Sequence, residues 1–411
     1  MNKEKITIAF ITPLMIIGGA ESYIINKCEW LLAHGFNVIV ISEGGENVAH
    51  LPKGTLHIQH EGISLPPLVF TKNQYTDFKK KFAALLLEHN IDVIEAHNSY
   101  PIVHVVSVYK ETKIPFCLNV LSELSYSRNP LLKIITKKLN EFGLFYLLTP
   151  QMNQFIERAS MSKLNPGIIP IPVKPIHIKD TNTHYKYILS VSRLSRDKDY
   201  VRYLIQDFYE LYKENKVSRD YKLIIVGDGN LYHELNEIAT AINTEGSTEI
   251  IKLKGTVVGR DLEILYQNCT MFAGMGTTLL LAASCGKPSI IAGFTPETNK
   301  LAWGFWGENN LDANIIAISS PKERGSVSFQ LAIKTIIESD VRRQSAGTAA
   351  SEMFKQNYDY DSIMKLWKEE YIRISEVFKL NGSRIENSLK YYNFYIHFYR
   401  LVRRAVKIVK V

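Results

Sequence analysis

The chain has 411 residues, of which 46% are hydrophobic and 22% charged, with a formal net charge of +8. This balance excludes global disorder, and the length favours two domains of roughly 170 to 200 residues over one. Six of the eight net positive charges, Lys390, Arg400, Arg403, Arg404, Lys407 and Lys410, fall beyond residue 389, where no acid occurs. That argues against a basic groove for nucleic acid along the whole protein and for one local anionic partner.

No apolar run approaches the roughly 20 residues that a membrane-spanning helix needs. The first, residues 6–12, leads into a proline and a glycine turn without a signal-peptide cleavage pattern, and is expected to be a buried strand. Further strands are expected at 37–42, 92–96, 115–120 and 168–171. Helical stretches lie between them, such as 21–34, which stops at Gly35. This alternation predicts an α/β fold with parallel sheets. Gly18 and Gly19 follow the first strand and open a helix, where backbone N–H groups have no helical partner and suit a diphosphate. A plain structural turn is the other reading. No third glycine completes a dinucleotide fingerprint, so hydride transfer is not expected. His97 stands just past the strand 92–96, as a substrate-facing side chain or as a structural donor.

Residues 172–183, rich in proline and polar residues, read as a hinge. A second set of strands follows at 187–191, 222–226, 249–253, 270–273 and 289–292. Arg193 lies past the first of these and Lys198 near the start of the next helix. A cation there opposes the helix dipole unless an anion is bound. Guanidinium can fork onto phosphate oxygens while lysine acts as a point charge. Asp197 and Asp199 form an Asp-x-Asp string, but no metal is expected, since Lys198 stands between them. Gly227 and Gly229 permit a tight turn, structural or ligand-contacting. Thr256 and Val257 lie where backbone groups could read a nucleobase. Residues 273–288 read as a glycine-broken loop opening a short buried helix, with Gly276, Thr277 and Thr278 as a phosphate cradle. The cysteines Cys28, Cys117, Cys269 and Cys285 are widely scattered, without metal-type spacing, as reduced packing residues of a cytosolic protein are.

Residues 361–378 predict one amphipathic helix with Ile363, Leu366, Trp367 and Tyr371 on a face, and Asn381, Gly382 and Ser383 predict a break after it. In the tail, Tyr391, Phe394, Tyr395, Phe398, Leu401, Val402, Ala405, Ile408 and Val409 recur at helical spacing, with cations on other faces. Such a helix lies in a membrane interface and meets anionic headgroups. Packing on its own protein is the alternative.

Taken in order, Gly18 to Glu21, Arg193 with Lys198, Gly227 to Gly229, Gly255 and the run 276–288 resemble the family 4 retaining glycosyltransferases of GT-B fold. The resemblance implies two Rossmann-like domains facing a cleft: 1–174 for the acceptor and 185–356 for the nucleotide sugar. It also implies a crossover helix, 357–380, before the basic amphipathic tail 383–411. Arg193, Lys198 and His97 would be the catalytic positions. Gly18, Gly19, Thr256, Val257, Gly276, Thr277 and Thr278 would bind the donor, without metal or cofactor. The tail cations, Lys390 to Lys410, would meet the membrane. The chain departs from the family where glutamates are usual, at Ala273 and Leu281, and Leu121 stands where a histidine is frequent. Glu297, Thr277 and Thr278 are candidate substitutes.

The function expected is transfer of a sugar, with retention, from a nucleoside-diphosphate sugar to a lipid-linked saccharide acceptor. The setting would be bacterial surface polysaccharide synthesis (O-antigen or capsule) on the inner face of the plasma membrane, at its anionic surface. The alternative is a non-catalytic scaffold subunit of the same fold. No nucleic-acid partner is expected.

Overall fold

The computed structural model describes residues 5–16, 18–98, 100–122, 126, 129–177, 186–293, 300–308, 327–390, 392 and 396. The chain divides into two compact units, Met1–Pro172 with Asp361–Val411, and Val173–Tyr360.

Unit 1 is built on a seven-stranded parallel sheet in the order β3-β2-β1-β4-β5-β6-β7. Its strands are β1 (Thr7–Ile11), β2 (Asn37–Ser42), β3 (Thr55–Gln59), β4 (Val93–His97), β5 (Phe116–Val120), β6 (Phe145–Leu147) and β7 (Gly167–Ile168). The central strands β1, β4 and β5 are buried on both faces, as continuous apolar runs in a parallel sheet require. Helices α1 (Gly19–Ala33), α2 (Lys72–Glu88) and α3 (Tyr100–Thr112) connect them. The strand expected at 168–171 is shorter and earlier, because only Gly167 and Ile168 pair with β6.

Unit 2 repeats the plan with β10-β9-β8-β11-β12-β13-β14. Here β8 (Lys186–Val191), β9 (Tyr221–Val226), β10 (Ile251–Leu253), β11 (Met271–Gly274) and β12 (Ser289–Ala292) run parallel, while β13 (Leu301–Phe305) and β14 (Val327–Ser328) pair antiparallel at one edge. Both sheets therefore have the doubly wound, Rossmann-like order. The order reverses between β1 and β4 in unit 1 and between β8 and β11 in unit 2. Ligands of such sheets bind outside the carboxyl ends of the strands at that reversal. The segment read as a hinge begins packed rather than free: Val173 and Ile176 are buried, and the Ile176 N–H donates to Ser284 Oγ.

The break expected at residues 381–383 does not occur, since one helix runs from Tyr360 to Leu389. A helical glycine costs only about 1 kcal/mol relative to alanine. Gly382 packs close to the Tyr109 hydroxyl, Ile385 is fully buried and Lys113 pairs with Glu386, so tertiary contacts outweigh the local preference. Ile363, Trp367 and Tyr371 lie on the buried face as expected, but Leu366 is half exposed. The buried stripe advances by fours there, which leaves Leu366 on its flank. Beyond the helix, Tyr392 and Ile396 are also helical and buried, continuing the stripe of Ile385 and Leu389. The start of the tail thus packs on its own unit. Arg400, Arg403, Arg404, Lys407 and Lys410 lie outside the described residues.

Unit 1 is held together around a fully buried carboxylate. Glu95, in β4, accepts from Lys27 Nζ at 2.6 Å, the Tyr23 hydroxyl at 2.8 Å, His97 Nε2 at 2.8 Å, Asn119 Nδ2 at 3.0 Å and the Tyr371 hydroxyl at 2.5 Å. Lys27 Nζ also donates to Tyr23 and lies 3.3 Å from the centroid of the Trp367 ring. One network therefore ties α1, β4 and β5 to the C-terminal helix. Burial alone would raise the Glu95 carboxyl, but the Lys27 charge and the bonds from His97 and Lys27 hold it well below its ordinary value of 4.5.

Its contribution to stability is complete above that ordinary value and is lost as pH falls towards the depressed folded value. Glu95→Gln leaves the Lys27 charge buried without its anion and should destabilise by about 3–5 kcal/mol in urea unfolding. It should also lose much of the stability decline that the parent shows below pH 4.5. Lys27→Met combined with Glu95→Gln should be more stable than Glu95→Gln alone. Equal stability of parent and Glu95→Gln at neutral pH would refute this role.

Candidate functional site

The donor-side residues converge at the β8/β11 reversal of unit 2. Strand β8 ends at Val191, and the chain then folds across the end of β9. Ser192 N–H donates to Val226 O, Leu194 N–H to Asp228 O, and Leu231 N–H back to Leu194 O. Gly227 N–H donates to Gly255 O, tying in the loop after β10. The glycines at 227 and 229 serve this stacking rather than direct ligand contact. Each has φ in the region open mainly to glycine, +138° and +150°. A Cβ on Gly227 would stand 1.8 Å from Ser192 O, and one on Gly229 2.3 Å from Leu194 O. Backbone packing without side chains thus fixes the path of residues 192–194 and aims Arg193.

Arg193 is exposed and held from one side. Its Nε donates to Ser195 Oγ at 3.1 Å and its Nη2 to Asp197 Oδ2 at 3.0 Å, while Ser195 Oγ donates to Asp197 Oδ1. Asp197 is therefore engaged with Arg193 and Ser195, and Asp199 with Arg202 at 3.1 Å. The two carboxylates of the Asp-x-Asp string point to different cations instead of converging. Lys198 ends a short 3-10 turn, Arg196–Lys198, just before the helix Tyr200–Lys213. Burial pulls its ammonium down to about 8, with Arg193 pushing the same way and Asp197 opposing. A phosphate arriving beside Lys198 would restore the charge that burial disfavours.

On the adjacent strand, β11 ends at Gly274 and the chain turns through Met275 and Gly276 into the helix Thr277–Ser284. Gly276 has φ +66°, and apart from its chain neighbours no atom of the described residues lies within 4 Å of where its Cβ would be. No side chain caps this helix, and the N–H groups of Thr277 and Thr278 have no hydrogen-bond partner among the described residues. Thr278 Oγ1 donates to Met275 O, which ties the turn to its own helix. An open approach, free N–H donors and the positive end of a helix form one half of an anion seat. Arg193 and Lys198, on the loop after the paired strand β8, form the other.

Ala273 is fully buried in the unit's core, so its position offers no polar group there. Leu281 is half-buried, one turn beyond Thr277 and Thr278. Thr256 is exposed and Val257 half-buried beyond Gly255, at the side of the β9 turn. Glu297 lies outside the described residues.

Gly18, Gly19 and His97 belong to unit 1. Gly18 is the N-cap of α1, and a Cβ on it would lie 2.6 Å from a carboxylate oxygen of Glu21. The chain's own acid thus stands against that helix start, where a diphosphate was expected. His97 is not ligand-facing as a loop residue would be: it is the last residue of β4, fully buried, and binds Glu95. Its ring lies between Phe10 and Tyr23, and its Nδ1 has no hydrogen-bond partner among the described residues. Sequence reasoning missed Lys27 and Glu95, signalled only as charged residues inside apolar runs, and read Trp367 and Tyr371 only as one face of a helix.

Residues 17–142 match the family described as Glycosyltransferase Family 4, and residues 185–302 that described as Glycosyl transferases group 1. No curated protein matches the chain. Among solved structures, a glycosyltransferase from Rickettsia africae is similar with a TM-score of 0.64 at 17% identity, covering 90% of this chain and 99% of that one. HepE of Anabaena in complex with UDP and glucose gives 0.62 at 16%, covering 89% and 99%. WaaG, a glycosyltransferase involved in lipopolysaccharide biosynthesis, gives 0.56 at 14%, covering 87% and 97%. At these identities the structural likeness establishes the fold, and the two matched domains establish the class.

Gly276→Ala meets only backbone strain, at φ +66° and ψ −145°, and should cost about 1–3 kcal/mol. Gly227→Ala must also displace Ser192 and should cost clearly more in thermal unfolding. Equal costs would show that the stacked strand-end loops do not set the path of Arg193.

Proposed function

We propose that this chain, which carries the two domains of a GT-B glycosyltransferase, transfers a sugar with retention from a nucleoside-diphosphate donor to a lipid-linked saccharide of a bacterial surface polysaccharide. The observation that carries the reading is the convergence of Arg193, Lys198 and the unpartnered N–H groups of Thr277 and Thr278 at one strand-order reversal. In such a transfer the bond from the sugar's anomeric carbon to the diphosphate breaks, and negative charge grows on the departing oxygens. Fixed donors and cations aimed at those oxygens lower the barrier, because they need no reorganisation during the reaction. Arg193, held by Ser195 and Asp197, presents its planar fork, and Lys198 supplies a point charge. The mechanism needs no metal, since these groups neutralise the leaving diphosphate.

The acceptor half of the reading rests on unit 1. The lysines Lys72, Lys80 and Lys81 of α2 are exposed, as are Lys137 and Lys138 on the helix Pro130–Asn140. Burial raises the Tyr392 phenol, and Tyr75 of α2 is close enough to add to the shift, so the start of the basic tail lies on the α2 side of this unit. Lys390 is exposed there. This supports a peripheral position at the cytoplasmic face of an anionic membrane. No described helix is long and apolar enough to cross one.

With candidate sugar nucleotides, Arg193→Ala should reduce turnover by about 100-fold or more while leaving the fold intact. Turnover by no donor, with nucleotide binding retained, would favour the non-catalytic reading. The affinity for a nucleoside diphosphate should be greatest below pH 8 and fall as Lys198 loses its proton above about 8. A flat profile through that range would remove Lys198 from the site. Truncation after Ile396 preserves the buried Tyr392 and Ile396 and removes the last five cations. It should reduce co-sedimentation with phosphatidylglycerol vesicles, and unchanged binding would reject the membrane role of the tail.

A further inference from the structure

Unit 2 has a second basic site at the opposite edge of its sheet. Lys186 is the first residue of β8, Thr270 precedes β11, and Lys287 precedes β12 by two positions. Because these strands are parallel, their starts lie at the edge away from the Arg193 loop. With Gly286, Arg343 and Gln344, these residues line a cavity of about 250 Å³. Among the described residues the lining contains three cations and no carboxylate.

The nearby acids do not neutralise it. Lys186 Nζ reaches Asp220 only at 3.9 Å, and both side chains are about half exposed. Arg343 pairs at 2.7 Å with Asp340, which is 76% exposed and belongs to the same helix, Asp340–Asn357. Lys287 makes no ion pair among the described residues, and its charge bears on the buried Cys269 thiol beside the same cavity. Lys287 does follow the C-terminus of the helix Thr277–Ser284, where a cation is favourable. That accounts for one charge, but not for Lys186 and Arg343 facing the same space. Gly286, at φ +68° with open space where a Cβ would be, leaves the backbone approachable there. Thr270 and Gln344 add polar groups.

We propose that this cavity is an anion site for a phosphoanion the size of pyrophosphate, separate from the seat at Arg193 and Lys198. Guanidinium supplies paired donors and the two ammonium groups supply charge, the combination suited to phosphate oxygens. At about 250 Å³ the cavity has room for a diphosphate.

The test is calorimetric titration of the full chain with inorganic pyrophosphate, alone and with the Arg193 seat saturated by a nucleoside diphosphate. Pyrophosphate should still bind under saturation, and Lys287→Ala or Arg343→Gln should weaken that binding at least tenfold without changing nucleotide affinity. Lys186→Ala, at an exposed position, provides a further variant that should fold normally and weaken binding in the same direction. Complete competition by the nucleotide, or unchanged pyrophosphate affinity in all three variants, would overturn the proposal. If no nucleotide binds, the donor-site reading fails, while the three variants still decide this one.

Discussion

A single buried anion, Glu95, organises the first unit. Five side chains from α1, β4, β5 and the C-terminal helix converge on it, and Trp367 covers the ammonium of Lys27. A carboxylate and an ammonium removed from water are costly, and only a near-complete set of partners makes their burial tolerable. That requirement constrains the chain over a long separation: Tyr371 and Trp367 must return to a sheet whose central strands formed from the first 120 residues. The C-terminal helix is thereby part of unit 1's core, and the chain that follows it is delivered beside α2. His97 is absorbed by the same constraint. A residue whose sequence position suggested chemistry is there to complete the shell of a buried charge.

The second unit achieves its rigidity by a different route. Among the described residues the ion pairs of the Arg193 loop are partly exposed, and the loop is stacked on its neighbours by backbone hydrogen bonds at glycines that tolerate no Cβ. At this site Arg193 is exposed although paired with Asp197, and the Lys198 ammonium is depressed by burial to about 8. The opposite treatment of charge in the two units matches their proposed roles. One holds the fold and the membrane-proximal basic surface, and the other presents cations to a leaving group.

The sequence disclosed most of this architecture because parallel strands buried on both faces read as continuous apolar runs. The strands at 37–42 and 289–292 lie where the apolar runs placed them, while β9 begins one residue earlier than expected and β11 is shifted by one residue. Edge strands were less legible: β3, β13 and β14 are short or partly exposed and carry little periodicity. The glycine at 382 suggested a helix end that Ile385, Glu386 and the Tyr109 contact overrode. The Arg193 and Lys198 motif could be found locally, since cation, strand end and helix start are within a few residues. The Glu95 network could not, because its partners lie 68 and 276 positions apart. Recognition of sugar and pentose is least legible of all. Ala273 is closed inside the core and Leu281 offers only a hydrocarbon surface, so the polar partners of a donor must come from elsewhere.

The proposed diphosphate seat between the β8 and β11 loops of the second unit can be examined in a structure of the full chain with a bound nucleoside diphosphate. Phosphate oxygens should lie within hydrogen-bond distance of Arg193, Lys198 and the N–H groups of Thr277 and Thr278. A diphosphate bound without contact to Arg193 or to the start of that helix would contradict it.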